Sequence, residues 1–112
     1  MPRSFPVQTL SQEVAKKTST TEVVYTIPSG KRLRVERFFG GHEYSTQEAR
    51  VELLLRAGSD SLICVGYGCC FQYALGREYL GDGEKQIVIK MVNQTPGALH
   101  MTGIWEGLEE DG

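Results

Sequence analysis

The chain has 112 residues, with 12 Lys+Arg against 14 Asp+Glu, 40% apolar residues and 23% charged ones. That length fits one domain and argues against two, and the apolar fraction excludes a wholly disordered chain. A formal net charge of −2 argues against a general nucleic-acid binder, whose surface is basic, so no specific nucleic-acid partner is expected.

Thirteen glycines, above the ~7% average, predict many turns and short strands. The charge is uneven: residues 1–56 hold nine Lys/Arg against six Asp/Glu, and residues 57–112 hold three against eight. Complementary potentials of this kind are expected to orient subunits as they meet. The start, Met1-Pro2-Arg3-Ser4-Phe5-Pro6, lacks the apolar segment of an export signal. The runs Leu53-Leu54-Leu55 and Leu62-Ile63-Cys64-Val65 are too short to span a bilayer, so no membrane is expected. Cys64, Cys69 and Cys70 are odd in number and two are adjacent, which reads as reduced packing thiols rather than a disulfide framework.

Residues 1–21 are polar, contain Pro2 and Pro6, and read as an N-terminal arm that is mobile until it meets a partner. Residues 10–17 could add one or two helical turns, too few to stand alone. From residue 22 the pattern turns to short β segments. Residues 22–27 are the first, followed by the turn Pro28-Ser29-Gly30-Lys31. Residues 32–39 place Leu33 and Val35 on one face; Arg37 breaks that face, which predicts a bulge or strand end there. Residues 40–47 read as a loop. Residues 48–57 alternate most clearly, with Val51, Leu53 and Leu55 against Arg50, Glu52 and Arg56. Residues 61–67 and 69–75 are apolar strands around Gly66 and Gly68, which relieve crowding at a bend. Asp82-Gly83 marks a hairpin turn before the strand 86–92, and residues 99–105 close the fold. Residues 106–112 carry four acids and read as solvated.

Seven or eight strands without helical crossovers exclude a parallel α/β sheet. The expected fold is all-β, an antiparallel sandwich of jelly-roll type. Its divisions are an arm at 1–21, a sandwich at 22–107 and an acidic tail at 108–112.

Several strands are apolar on both faces. Phe38, Leu54, Val88, Val92 and Ile104 lie on faces that should meet water, and a contiguous set of this kind marks an interface. Lys31, Arg32, Arg34 and Arg37 form a basic cluster suited to an acidic partner surface such as a neighbour's tail. Arg32 and Arg34 therefore join the five apolar residues as oligomer or shell-contact candidates.

Catalytic signals are thin. Pro96-Gly97-Ala98-Leu99-His100 resembles part of the second cupin motif, and His42, Glu43 and Glu48 could supply further metal ligands. The His-x-His pair of the first cupin motif is missing, so no metal and no cofactor is expected. The cysteines have no cationic sequence neighbour to activate them, and Gly66-x-Gly68 lacks the third glycine of a dinucleotide fingerprint. Tyr44, Tyr67, Phe71, Tyr73, Tyr79 and Trp105 could build a sugar platform; Tyr25, Phe71, Tyr73 and Trp105 fall on strands and read as core, which leaves only Tyr44 and Tyr79 in loops.

The stretch Tyr25-Thr26-Ile27-Pro28-Ser29-Gly30-Lys31-Arg32-Leu33-Arg34-Val35-Glu36 resembles the opening hairpin of small β-sandwich proteins of tailed-phage particles. The runs Ile87 to Gln94 and Met101 to Gly107 are similar to their closing strands. The resemblance implies a non-enzymatic capsid cement, or decoration, protein in the virion. Such a protein works as a homo-oligomer, with a trimer favoured, bound between capsomers to the major capsid protein. The same resemblance admits a glycan- or receptor-binding tail module, and a small cupin-like metal protein is the third reading.

Overall fold

The computed structural model of the chain describes residues 3–43 and 48–112. Among them are nine strands and no helix: β1 (Arg3–Ser4), β2 (Val7–Val14), β3 (Ser19–Thr26), β4 (Lys31–Gly41), β5 (Ala49–Ala57), β6 (Ser59–Gly66), β7 (Phe71–Leu80), β8 (Gln86–Asn93) and β9 (Leu99–Asp111). They form two antiparallel sheets. The first has the order β2-β9-β4-β7, with β1 extending the β2 edge along β9; the second has the order β3-β8-β5-β6.

This order is a rolled hairpin. The chain turns at Gly58, and its two halves run back along each other: β5 with β6, β4 with β7, β3 with β8, β2 with β9. Rolling that long hairpin brings β4 against β9 and β5 against β8, which completes one sheet of five strands, counting the short β1, and one of four. The expected jelly-roll sandwich is therefore present in its strand order.

The core lies between the inner faces. Leu33, Val35 and Phe38 of β4 and Met101 and Trp105 of β9 meet Val51 and Leu53 of β5 and Ile87, Ile89 and Met91 of β8. Each fully buried side chain of this size contributes about 1.5–3 kcal/mol through removal from water. Gly103 sets how closely the sheets approach: a Cβ there would stand 2.6 Å from Val51 Cγ1 and 2.9 Å from Ile89 Cγ2. Gly66 does the same locally, since its Cβ would meet the Phe71 ring at 2.4 Å.

Three sequence expectations need correction. The segment 1–21 is no mobile arm over its described length, and 10–17 is not helical. Val7–Val14 is a full strand on β9, with Val14 in the core and Leu10 packed against it. Its far end is pinned by Asn93, whose Nδ2 donates to Val14 O and to Gly97 O at 3.0 Å each. The acidic tail is not solvated either, because β9 continues to Asp111 with alternate residues buried. Its acids lie opposite basic residues of the first half, in the bridges Arg3–Glu110 (3.3 Å) and Lys31–Asp111 (2.6 Å). The charge asymmetry along the sequence is thus used inside one chain, strand against strand.

The third correction concerns Phe38. Against β9 the register of β4 slips between Val35 and Arg37, so Glu36 is an extra residue. The bulge expected near Arg37 sits one residue earlier and reverses the faces after it. Arg37 points out, and Phe38 is fully buried against Phe71, with ring centroids 5.1 Å apart. Phe38 is core, not an interface candidate.

Candidate functional site

The two outer faces of the sandwich differ, and the remaining contact candidates divide between them. On the second sheet, Val24, Val88, Leu54 and Leu62 are cross-strand neighbours in one row over β3, β8, β5 and β6. Leu54, Val88 and Val92 do face outward, as the alternation predicts, yet they are buried within the single chain at 6%, 0% and 3% exposure. Charged side chains account for this. Arg56 sits opposite Gln86, and Glu22 opposite Lys90, so the Arg56–Glu22 bridge (2.9 Å) must cross β8 diagonally at Val88. The same guanidinium holds Asp60 at 2.7 Å, and it keeps both carboxyls below the usual range by donating hydrogen bonds to them. Arg50, opposite Val92, reaches Glu52 at 2.8 Å. The aliphatic stems of these arginines cover the row. Only Leu62, at its end, is open, at 56% exposure.

The outer face of the first sheet carries Ile104, Arg32 and Arg34. Ile104 lies between Thr9 and Phe39, Arg32 is opposite Glu110, and Arg34 bridges to Glu36 at 3.2 Å. Arg37 donates to Glu106 at 2.6 Å through Nε and stacks over the Phe39 ring at 5.4 Å. Beside these bridges stand Phe5 and Val7, exposed at 68% and 52%. They line an open cleft of about 320 Å³ with Glu36, Glu106, Gly107 and Leu108.

The cleft forms where β9 loses regular neighbours on both sides. On one side β1 stops at Ser4 and β2 begins at Val7, with Pro6 between them; Pro6 O still accepts from Gly107 N at 3.0 Å. On the other side lies the Glu36 bulge. An apolar patch rimmed by polar groups is the usual mark of a contact surface. Phe5, Val7 and Leu108 escape the sequence reading because they fall in the supposed arm and tail. Val7, Leu10 and Val14 have the i, i+3, i+7 spacing of a helix, and only Leu10 and Val14 share the inner face of β2, so no strand signal was legible there; in β9 the signal was the continued alternation Trp105-Glu106-Gly107-Leu108 past residue 105.

The other sequence candidates do not converge. His42 is buried, its backbone N–H donates to Gly68 O at 2.9 Å, and burial pushes its imidazole pKa down. His100 is exposed, 3.0 Å from Ser11 Oγ. Among the described residues no group of three or more His, Cys, Asp or Glu could hold a metal ion. Cys69 and Cys70 are exposed in the β6–β7 connection, so they are not packing residues; Cys64 is half-buried, and burial raises its thiol pKa. Tyr44 lies outside the described residues. Tyr25 stacks edge-on to Trp105 at 5.4 Å and donates to Glu109 Oε1 at 2.6 Å, which makes it a tie between the sheets rather than a sugar platform.

No protein-family model matches the chain, and no curated protein matches it in sequence. Solved structures of similar fold include PirA, with 16% identity and TM-score 0.45 over 88% of this chain and 92% of that one. PliG of Aeromonas hydrophila, a periplasmic inhibitor of g-type lysozyme, has 12% identity and TM-score 0.41 over 95% and 85%. A chain of the infectious bursal disease virus Gx strain structure has 7% identity and TM-score 0.42 over 96% of this chain and 32% of its own. These likenesses concern the all-β fold alone.

Proposed function

We propose that the chain is a non-enzymatic structural protein of a tailed-phage virion, of the cement or decoration type. It binds the major capsid protein between capsomers, as an oligomer, and stiffens the shell. The observation that supports this reading is the outer face of the first sheet, where Phe5 and Val7 stand exposed around an open cleft while the charges beside them are bridged to one another. Apolar area open to water favours association, at roughly 25 cal/mol per Å² covered.

The test is co-sedimentation of the tagged chain with phage particles produced in its native host, followed by electron microscopy. The expected result is density for the chain at regular sites on the outer shell and loss of shell stability to heat when it is stripped. Absence from particles, together with binding on a glycan array, would replace this reading with the receptor-binding one.

A further inference from the structure

We propose that the N-terminal strands β1 and β2 exchange between copies of this chain. Opened about residues 15–18, β2 of one copy lies on β9 of another, in the place it otherwise takes on its own β9. Exchange deepens, and rests on, the reading of the chain as an oligomer; it does not depend on a virion as the target.

Four observations support exchange. First, the hinge is strained. Between β2 and β3 the chain crosses from one sheet to the other in four residues, and Lys17 and Thr18 both stand at φ 58°. This left-handed region disfavours residues with a Cβ, and a β-branched one such as Thr18 most of all. Among the described residues no other non-glycine has a positive φ. Extending the connection releases that strain, and it gives up one hydrogen bond to a neighbouring loop, Lys17 N–H to Thr95 O at 2.9 Å. Second, the contacts that hold β2 are all recovered on a second copy. They run from Val7 opposite Glu106 to Val14 opposite Leu99. Val14 and Leu10 pack on the core, Asn93 Nδ2 donates to Val14 O at 3.0 Å, and Gln12 Nε2 donates to Thr21 Oγ1 at 3.1 Å. This set fits the sequence of β2, so the occupant it selects for the edge of β9 is the same strand of another copy. Third, β2 is an edge strand that pairs with β9 alone and fully buries only Val14. Its departure leaves the other pairings of both sheets in place. Fourth, β2 and β9 are far apart in the chain: Ser11 and Thr102, in hydrogen-bond contact, are 91 positions apart. Pairing over so long a loop closes late. Until then the edge of β9 is open to whichever copy of β2 arrives first.

The experiment is disulfide trapping in the full chain with Ser11→Cys and Thr102→Cys, at positions whose hydroxyl oxygens stand 2.9 Å apart. The chain is refolded over a wide concentration range, oxidised with glutathione disulfide and run on a denaturing, non-reducing gel. The chain without the added pair controls for Cys64, Cys69 and Cys70. A closed chain runs as one chain and exchanged chains run as two or more. The linked share is expected to rise with concentration. Adding Lys17→Asn and Thr18→Gly, which suit positive φ, should lower that share by about 10-fold or more. Adding Thr18→Pro instead, whose ring fixes φ at about −65°, should drive the linked share towards completion. Where circular dichroism finds Thr18→Pro unfolded, the double hinge variant decides. Links that close within one chain at every concentration overturn exchange. So does an oligomer in solution that resolves to single chains on the gel, or a linked share indifferent to Lys17→Asn and Thr18→Gly. Particle binding by a chain that always links within itself removes exchange and leaves the virion reading standing. An exchanged oligomer absent from all particles does the reverse.

Discussion

The two outer faces of this sandwich start from similar sequence patterns and end differently. Both carry apolar residues where a solvated strand would carry polar ones. On the second sheet, Val88 and Leu54 are covered by arginines of the same chain, with Arg56 reaching across β8 to Glu22. On the first sheet the arginines turn instead to acids beside them, Arg34 to Glu36 and Arg37 to Glu106, and Phe5 and Val7 remain bare. An outward apolar residue therefore marks an interface only when no long charged neighbour is free to lie over it. Arg50 and Arg56 are placed to do so, whereas no bridge crosses the Phe5 cleft among the described residues.

That contrast can be broken from its strongest point downward. Phe38→Asp should unfold the chain, because the ring is core and truncation alone to Ala costs about 3–5 kcal/mol; circular dichroism at ambient temperature would show it. A folded Phe38→Asp would mean that the Glu36 bulge does not reverse β4. Leu54→Ala should cost about 2 kcal/mol, the low end for a buried leucine, since its site borders solvent-facing charges that can collapse onto it. Denaturant titration measures this, and a loss below about 0.5 kcal/mol would show the row to be unprotected. Arg56→Ala should cost about 1 kcal/mol, more than an exposed ion pair alone, because it removes cover from Val88 as well as two carboxylate partners. Arg56→Met, which keeps the stem, should recover most of that loss if cover is the larger part, and high salt should then matter little.

The smallest effect is in pH. Burial first, and then the hydrogen bond to Glu109, push the Tyr25 hydroxyl well above its usual pKa of 10. Above pH 10 the unfolded phenol releases its proton while the folded one keeps it, so stability falls as pH rises. Tyr25→Phe should flatten that slope in alkaline unfolding curves; an unchanged slope would remove the Tyr25–Glu109 tie from the account.

Much of the fold was legible because alternation is a local signal. Val51-Glu52-Leu53 and Ile87-Val88-Ile89 show their strands without any partner in view; Asp82-Gly83 marks a turn but not the expected hairpin, because β7 and β8 pair with other strands in different sheets. The first and last strands were hidden for opposite reasons. Residues 7–14 are polar because an edge strand buries few side chains, only Val14 fully. Residues 106–111 are acidic because basic partners await them about 70 to 107 positions away, at Arg37, Lys31 and Arg3. Charge composition alone cannot separate a solvated tail from a cross-strand ladder. The candidate surface suffered most, since Phe5, Val7 and Leu108 lie in those two segments and the cleft exists only once they pair.

The rolled-hairpin topology also governs how the molecule must fold. Only the β5–β6 hairpin about Gly58 is closed by neighbouring residues; each layer outward joins positions farther apart, ending with Arg3 beside Glu110. Chain-closure entropy grows with each layer before its contacts form. This architecture therefore belongs with the slow folders, on millisecond-to-second timescales. The hairpin about Gly58 is the natural nucleus, and the Phe5 cleft, made by the outermost layer, is the last part of the surface to come into being.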